Sequence, residues 1–273
     1  MSFQSKLRRK EIIIDDSTGN DVLFPKDKGR GQEPRDWKKH PLEFAGSPAE
    51  IDVIPRSEWD ARIEEKEAIK SQLSDVRGRI KSMDQARAGY CWGHSVTMAL
   101  MLARRMANQR HVPLSAYSVC AIIKRGRDEG GWCGLALKFM REHGIATQAS
   151  WPQGSRDLSI DTPELRKLMK KYRVTSDYYD LARQEWNQEM TFDQVATCLL
   201  NNVPCALDFN WWGHSVCGLD LVKIEAGSYG IRILNSWGEQ WGDRGTSVLR
   251  YSKAIPNGAV GIRAGKVAGD LAA

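Results

Sequence analysis

The chain has 273 residues, 41% of them hydrophobic, with 40 Lys and Arg against 34 Asp and Glu for a formal charge of +6. That length and apolar share can fill the core of one large domain or two small ones. The charges are interspersed apart from KLRRK at residues 6–10, and no stretch approaches the roughly 18 apolar residues that cross a bilayer, so neither a nucleic-acid nor a membrane partner is indicated.

The opening MSFQSKLRRKEIIIDD lacks the apolar core and cleavage site of a signal peptide, which gives a cytoplasmic location as the expectation. The six cysteines (91, 120, 133, 198, 205 and 217) contain no C-x-x-C pair or other metal-ligand spacing, so reduced thiols are expected, with no metal and no cofactor.

Residues 1–53 mix charge with Gly and Pro and read as an extended arm, with Trp37, Leu42 and Phe44 as candidate anchors to a body or to a protein neighbour. From IPRSEW onward, Trp59, Ile63, Ile69, Leu73 and Val76 recur at helical intervals, which predicts a helix over about 57–75 capped by Ser57 with Asp60 behind it. CWGHSVTMALMLARRMANQR is the strongest helix candidate, with Cys91 in its first turn. Helices are also predicted at SAYSVCAIIKR, at GLALKFMREHG with Gly144 as terminator, at TPELRKLMKKY with Thr162 as cap, and at TFDQVATCLLNN with Thr191 as cap. Past Pro204 the runs CALDF, SVCGLDLVKI, YGIRILN and TSVLRYS read as strands of an antiparallel sheet. Helices first and strands later make an α+β layout of two lobes with a cleft between them.

A thiol becomes a strong nucleophile as the thiolate, which a helix N-terminus and a neighbouring imidazolium both favour. Cys91 has the first from its own helix. The second requires a histidine whose other ring nitrogen is held by a third group. His214 in WWGHSVCGLDL and Asn235 in IRILNSWGEQWGDRG are the candidates.

DQARAGYCWGHS, GHSVCGL and NSWGEQWGDRG, in that order, resemble the three active-site segments of the papain-like cysteine peptidases. LSAYSVC, EGGWCGLALKFMREHGI and NNVPCALDF are weaker echoes between them, and the likeness covers roughly residues 54–255. The resemblance implies a two-lobed papain-like domain over 54–273, with a helical lobe at about 54–190 and a β lobe at about 191–265. It implies a peptidase acting on protein or peptide substrates through a thioester. Cys91 would be the nucleophile, His214 the base and then acid, and Asn235 the holder of the imidazole. Gln85 would form the oxyanion hole with the Cys91 N–H. Trp237 would shield the Asn235–His214 bond, and Gly130, Gly131 and Gly213 would meet the substrate.

Departures from the family pattern are Ala88 in place of a half-cystine, Cys120 without its mate, Cys133 where a pocket wall is expected, and Tyr90, Gly93 and His94 around the nucleophile. Those last three bear on the cleft floor and on specificity. A helix-like insertion falls at roughly 62–73. The arm does not match the family's long helical pro-segment, so inhibition of the zymogen kind is not expected. The competing expectation is a structural or assembly component of this fold, for example in a virion. An amidase or transglutaminase-like acyl transferase is disfavoured by the Gln85 spacing and the NSWG segment.

Overall fold

The computed structural model describes residues 11–41, 51–174, 178–181 and 188–263. In chain order these residues form β1 (Ile12–Ile14), α1 (Asn20–Leu23), α2 (Arg56–Ala68), α3 (Leu73–Val76), α4 (Cys91–Met106), α5 (Ala116–Ile123), α6 (Cys133–Glu142), α7 (Pro163–Met169), β2 (Tyr178–Asp180), α8 (Gln188–Leu200), β3 (Cys205–Phe209), β4 (His214–Glu225), β5 (Ser228–Leu234), β6 (Thr246–Leu249) and β7 (Gly258–Ile262).

The helix expected over 57–75 is two helices, because the chain turns at Ile69 and passes through Lys70 at φ 51°. Its cap is Pro55 rather than Ser57, and the Asp60 carboxylate reaches across to Lys223 and Tyr229 instead of back to the helix start. Gly144 ends the α6 turn at φ 81°, where a Cβ would lie 2.0 Å from the Met169 carbonyl oxygen, so the close passage of α7 admits no side chain. Thr162 caps α7 by accepting the Leu165 N–H at 3.2 Å. Thr191 lies inside α8, which begins at Gln188.

The core is organised around α4. All of it except its last two residues is buried, as expected of a helix that packs on every side. Its neighbours are α5 and α6 on one side and β3, β4 and β7 on the other.

The strands make a seven-stranded sheet in the order β1-β6-β5-β4-β3-β7-β2. The four strands expected from sequence are its centre and pair antiparallel, with Phe209 opposite His214 and Leu234 opposite Thr246. β1, β2 and β7 extend it, and β1 pairs with β6 in parallel, Ile12 facing Ser247.

The N-terminal stretch is therefore more than an extended arm. β1 is an edge strand of the sheet, and the Leu23 carbonyl at the end of α1 accepts the Trp212 indole N–H at 2.8 Å. Residues 29–33 then run past the loop before α4 and past Gly213, which precedes β4. Trp37 stacks on the Arg35 guanidinium at 4.2 Å. Leu42 and Phe44 lie outside the described residues.

Candidate active site

Cys91 opens α4 and is fully buried. Burial holds its thiol well above the usual cysteine range, because a thiolate there would lose its hydration. The backbone N–H of Ser215, next along from His214, faces the sulfur and opposes that shift, as do the N–H groups at the start of α4. β4 thus brings its first residues against the first turn of α4.

His214 is also fully buried, and loss of hydration lowers its pKa to about 3 against the opposing Asn235 hydrogen bond. Its Nε2 lies 2.7 Å from Asn235 Oδ1. That oxygen also accepts the Ser236 backbone N–H at 2.7 Å, so it is an acceptor and the histidine must donate from Nε2. In the neutral ring Nδ1 then carries the lone pair, and it has no hydrogen-bond partner among the described residues. Trp237 stacks on the imidazole at 4.6 Å and 26°, while Trp212 meets its edge at 4.9 Å. The two indoles keep water from the His214–Asn235 bond, and a bond in a dry site is electrostatically stronger.

Gln85 is buried and fixed at both ends of its amide. Nε2 donates to the Ala88 carbonyl at 2.6 Å, and Oε1 accepts from Ser236 Oγ at 2.5 Å. Its backbone N–H donates to the Ser236 carbonyl at 2.9 Å. The loop before α4 is thereby tied to the segment after Asn235. Ser236 passed as part of the Asn-Ser-Trp-Gly string in the sequence, which carries no hint of its hold on Gln85.

The glycines act for different reasons. A Cβ on Gly131 would lie 2.8 Å from the Trp92 ring, and one on Gly130 would lie 2.6 Å from the Gly31 carbonyl oxygen. Gly131 donates to the Gly31 carbonyl at 2.9 Å and accepts from the Glu33 N–H at 2.8 Å, forming a parallel bridge with Gln32. The Gly213 carbonyl accepts the Gly31 and Gln32 N–H groups at 3.2 and 3.1 Å. Trp237 Nε1 donates to the Gly29 carbonyl at 2.9 Å. The positions assigned to substrate are all in contact with the chain's own residues 29–33. The Gly-Arg-Gly-Gln string was the sole local sign of this, and nothing in it named a partner.

Tyr90 and Gly93, read as bearing on the cleft, pack into the helical core, and so does His94, for which a packed, hydrogen-bonded histidine is the expected reading. Tyr90 is buried with its hydroxyl on the Arg127 carbonyl at 2.6 Å. A Cβ on Gly93 would lie 2.1 Å from Cys120 Sγ, so the sulfur occupies the space a side chain would need. His94 donates from Nδ1 to the Tyr90 carbonyl at 2.8 Å and accepts from Gln153 Nε2 at 2.7 Å on its other nitrogen. Burial lowers its pKa to about 4, which keeps it neutral.

A polar chain absent from the sequence reading runs behind the site. Ser95 Oγ and Ser215 Oγ are 3.0 Å apart, and Ser215 Oγ donates to Asp208 Oδ1 at 2.5 Å. Asp208 Oδ2 accepts the Cys133 N–H at 2.9 Å. All six cysteines are free and buried. Among the described residues no three His, Cys, Asp or Glu side chains stand close enough to hold a metal ion.

A buried cysteine at a helix N-terminus, beside a strand that begins with an Asn-held histidine in a two-lobed α+β fold, is the arrangement of a papain-like chain. The chain belongs to the papain family of cysteine proteases, whose family description matches residues 71–268. It is 25% identical over 210 residues to cysteine endopeptidase RepA of Oryza sativa subsp. japonica, covering 68% of this chain and 52% of that protein. It is 22% identical over 256 residues to vignain of Phaseolus vulgaris, covering 82% and 64%. The chain thus spans between half and two thirds of the length of these relatives. Among solved structures, xylellain, a cysteine protease from Xylella fastidiosa, superposes with a TM-score of 0.59 at 17% identity, covering 88% of this chain and 98% of that one. Digestive procathepsin L 3 of Tenebrio molitor gives 0.57 at 17% identity over 89% and 77%. These two likenesses establish the fold.

Proposed function

We propose that the protein is a cysteine peptidase that hydrolyses peptide bonds of protein or peptide substrates, with Cys91, His214 and Asn235 as its reacting set and Gln85 beside them. The observation that carries this reading is the state of His214. Its Nε2–H is held by Asn235 Oδ1 at 2.7 Å, and its Nδ1 lone pair is left without a partner.

In the proposed cycle Nδ1 takes the Cys91 thiol proton as the sulfur adds to the substrate carbonyl carbon. The oxyanion formed there is met by the Cys91 backbone N–H and the Gln85 amide. His214 returns the proton to the leaving nitrogen, the C–N bond breaks, and a thioester remains. Water, deprotonated by His214, then displaces the sulfur and releases the acid. Trp237 and Asn235 keep the ring in one orientation throughout.

The same reading assigns a resting state. With residues 29–33 on Gly131 and Gly213, no substrate strand can pair there, and both reacting groups are buried, which disfavours their charged forms. The arm must withdraw before the thiolate and imidazolium pair can form. This replaces the expectation that the N-terminal stretch plays no inhibitory part.

The test is labelling by a thiol-reactive peptide electrophile together with a peptide-library digest. Label should fall on Cys91 and disappear, with all cleavage, in Cys91→Ala. Label or cleavage that survives Cys91→Ala refutes the assignment, and amine incorporation in place of hydrolysis would make the chain an acyl transferase.

A further inference from the structure

Arg35 is an arm residue whose surroundings are built for a cation. Its side chain is 3% exposed, and so is that of Asp180, which it grips in a two-pronged pair at 2.9 and 3.0 Å. The guanidinium lies 4.2 Å from the Trp37 ring and 4.8 Å from the Trp132 ring. Its remaining hydrogen bonds go to the His40 and Pro41 carbonyls, which also belong to the arm. The body of the protein therefore contributes a carboxylate and an aromatic shelf, and the arm contributes everything else.

A second buried carboxylate lines a crevice that Arg35 shares. Asp208 lines a small crevice with Gln32, Pro34, Arg35 and Asn257; burial raises its pKa to about 6, opposed by the Ser215 hydroxyl, by Cys133 and, least, by the Arg35 charge. The pocket is also placed for substrate. Trp132 directly follows Gly131, where the arm pairs, and the hydroxyl held by Asp208 belongs to Ser215, directly after His214. A chain that replaces the arm on Gly131 brings one of its own side chains to this shelf.

We propose that the site now filled by Arg35 is a substrate subsite for a basic side chain, in which Asp180 and Asp208 on the Trp132 shelf bind the cationic group of an arginine or lysine in the bound peptide. Arg35 then holds the subsite by imitation while the arm is docked. Arginine binds better than lysine, since its planar fork matches a carboxylate at two points and stacks on indole. The inference rests on the peptidase reading for its substrate, and its test separates the two.

The full chain carrying Gly31→Ala, to loosen the arm, and Cys91→Ala, to prevent turnover, is titrated with fluorescein-labelled hexapeptides. These differ by one arginine, lysine or norleucine at each position in turn. At one position arginine should bind at least about tenfold tighter than norleucine, the yield of one charge-assisted hydrogen bond. Asp180→Asn should collapse that ratio, and Asp180→Glu should keep most of it. Asp208→Asn, expected to lower the ratio, serves if Asp180→Asn does not fold by circular dichroism. No preference at any position, or a ratio untouched by both carboxylate changes, overturns the subsite. Restoring Cys91 adds cleavage as a readout. Preferred binding without cleavage refutes the peptidase and leaves the subsite standing. Cleavage with no basic preference does the reverse.

Discussion

Gly31→Ala should open the cleft. The arm is held over residues 29–33 by eight hydrogen bonds: Gly29 to Ala86, Gly31 and Gln32 to Gly213, Glu33 to Gly131, Gly131 to Gly31, Trp237 to Gly29, the Arg30 guanidinium to the Trp212 carbonyl, and the Gln32 amide to Asn210 Oδ1. At about 0.5–1.5 kcal/mol net each, they hold it by roughly 4–12 kcal/mol. A Cβ on Gly31 would lie 2.3 Å from the Gly89 carbonyl oxygen, on backbone at φ +144°. Overpacking of about 1–3 kcal/mol and backbone strain of about 1–3 kcal/mol together remove roughly 2–6 kcal/mol of that docking energy. The lower figure alone raises the open population about 30-fold.

The assay is iodoacetamide alkylation of the native protein, with peptide mass spectrometry to follow each cysteine. Cys91 should react at least about 30-fold faster in Gly31→Ala, and the other five buried thiols should not. Gly154→Ala is the control: its φ is +90° with nothing within 4 Å of the added carbon, so it shares the strain but not the clash with the nucleophile's loop. A folded Gly31→Ala protein whose Cys91 reacts at the parent rate would refute the argument that these contacts shut the site.

Asn235→Ala removes the acceptor that fixes the His214 ring. In the Gly31→Ala background it should lower kcat about 10- to 150-fold, the equivalent of a buried hydrogen bond of roughly 1.5–3 kcal/mol to a group that becomes charged. A kcat unchanged within twofold would show that Asn235 does not position the base. Burial raises the Asp208 pKa from 3.8 to about 6. The unfolded chain releases this proton first as pH rises, so Asp208 lowers stability between about pH 4 and 6, by roughly 3 kcal/mol in all. Urea unfolding at pH 4 and pH 7 should show Asp208→Asn gaining on the parent at the higher pH, and an equal difference at both would refute the shift.

The central helix, α6 and the four central strands were legible because their signals are local: an apolar period, a cap, a terminating glycine, a β-rich run. Cys91, His214, Asn235 and Gln85 were legible as residue types in recognisable strings. β1, β2 and β7 were not, since three to five residues carry too little periodicity and their pairing partners lie far off in the chain. Ile12 pairs with Ser247 and Tyr178 with Ile262. The double helix in place of one over 57–75 turned on Lys70 adopting a left-handed conformation, for which lysine has no preference.

The sequence by itself determined which atoms could do chemistry and roughly which elements carry them. Tertiary structure alone decided the company they keep. That Tyr90 and His94 serve the core, that Ser236 grips Gln85, and that Gly29 to Glu33 lie over the candidate nucleophile all depend on contacts between distant segments. The arm is the clearest case, because its hold on Gly131 and Gly213 is made by backbone groups, which every residue but proline offers alike. Such pairing leaves no residue-type signature, apart from the two glycines that let the strand come close enough to form it.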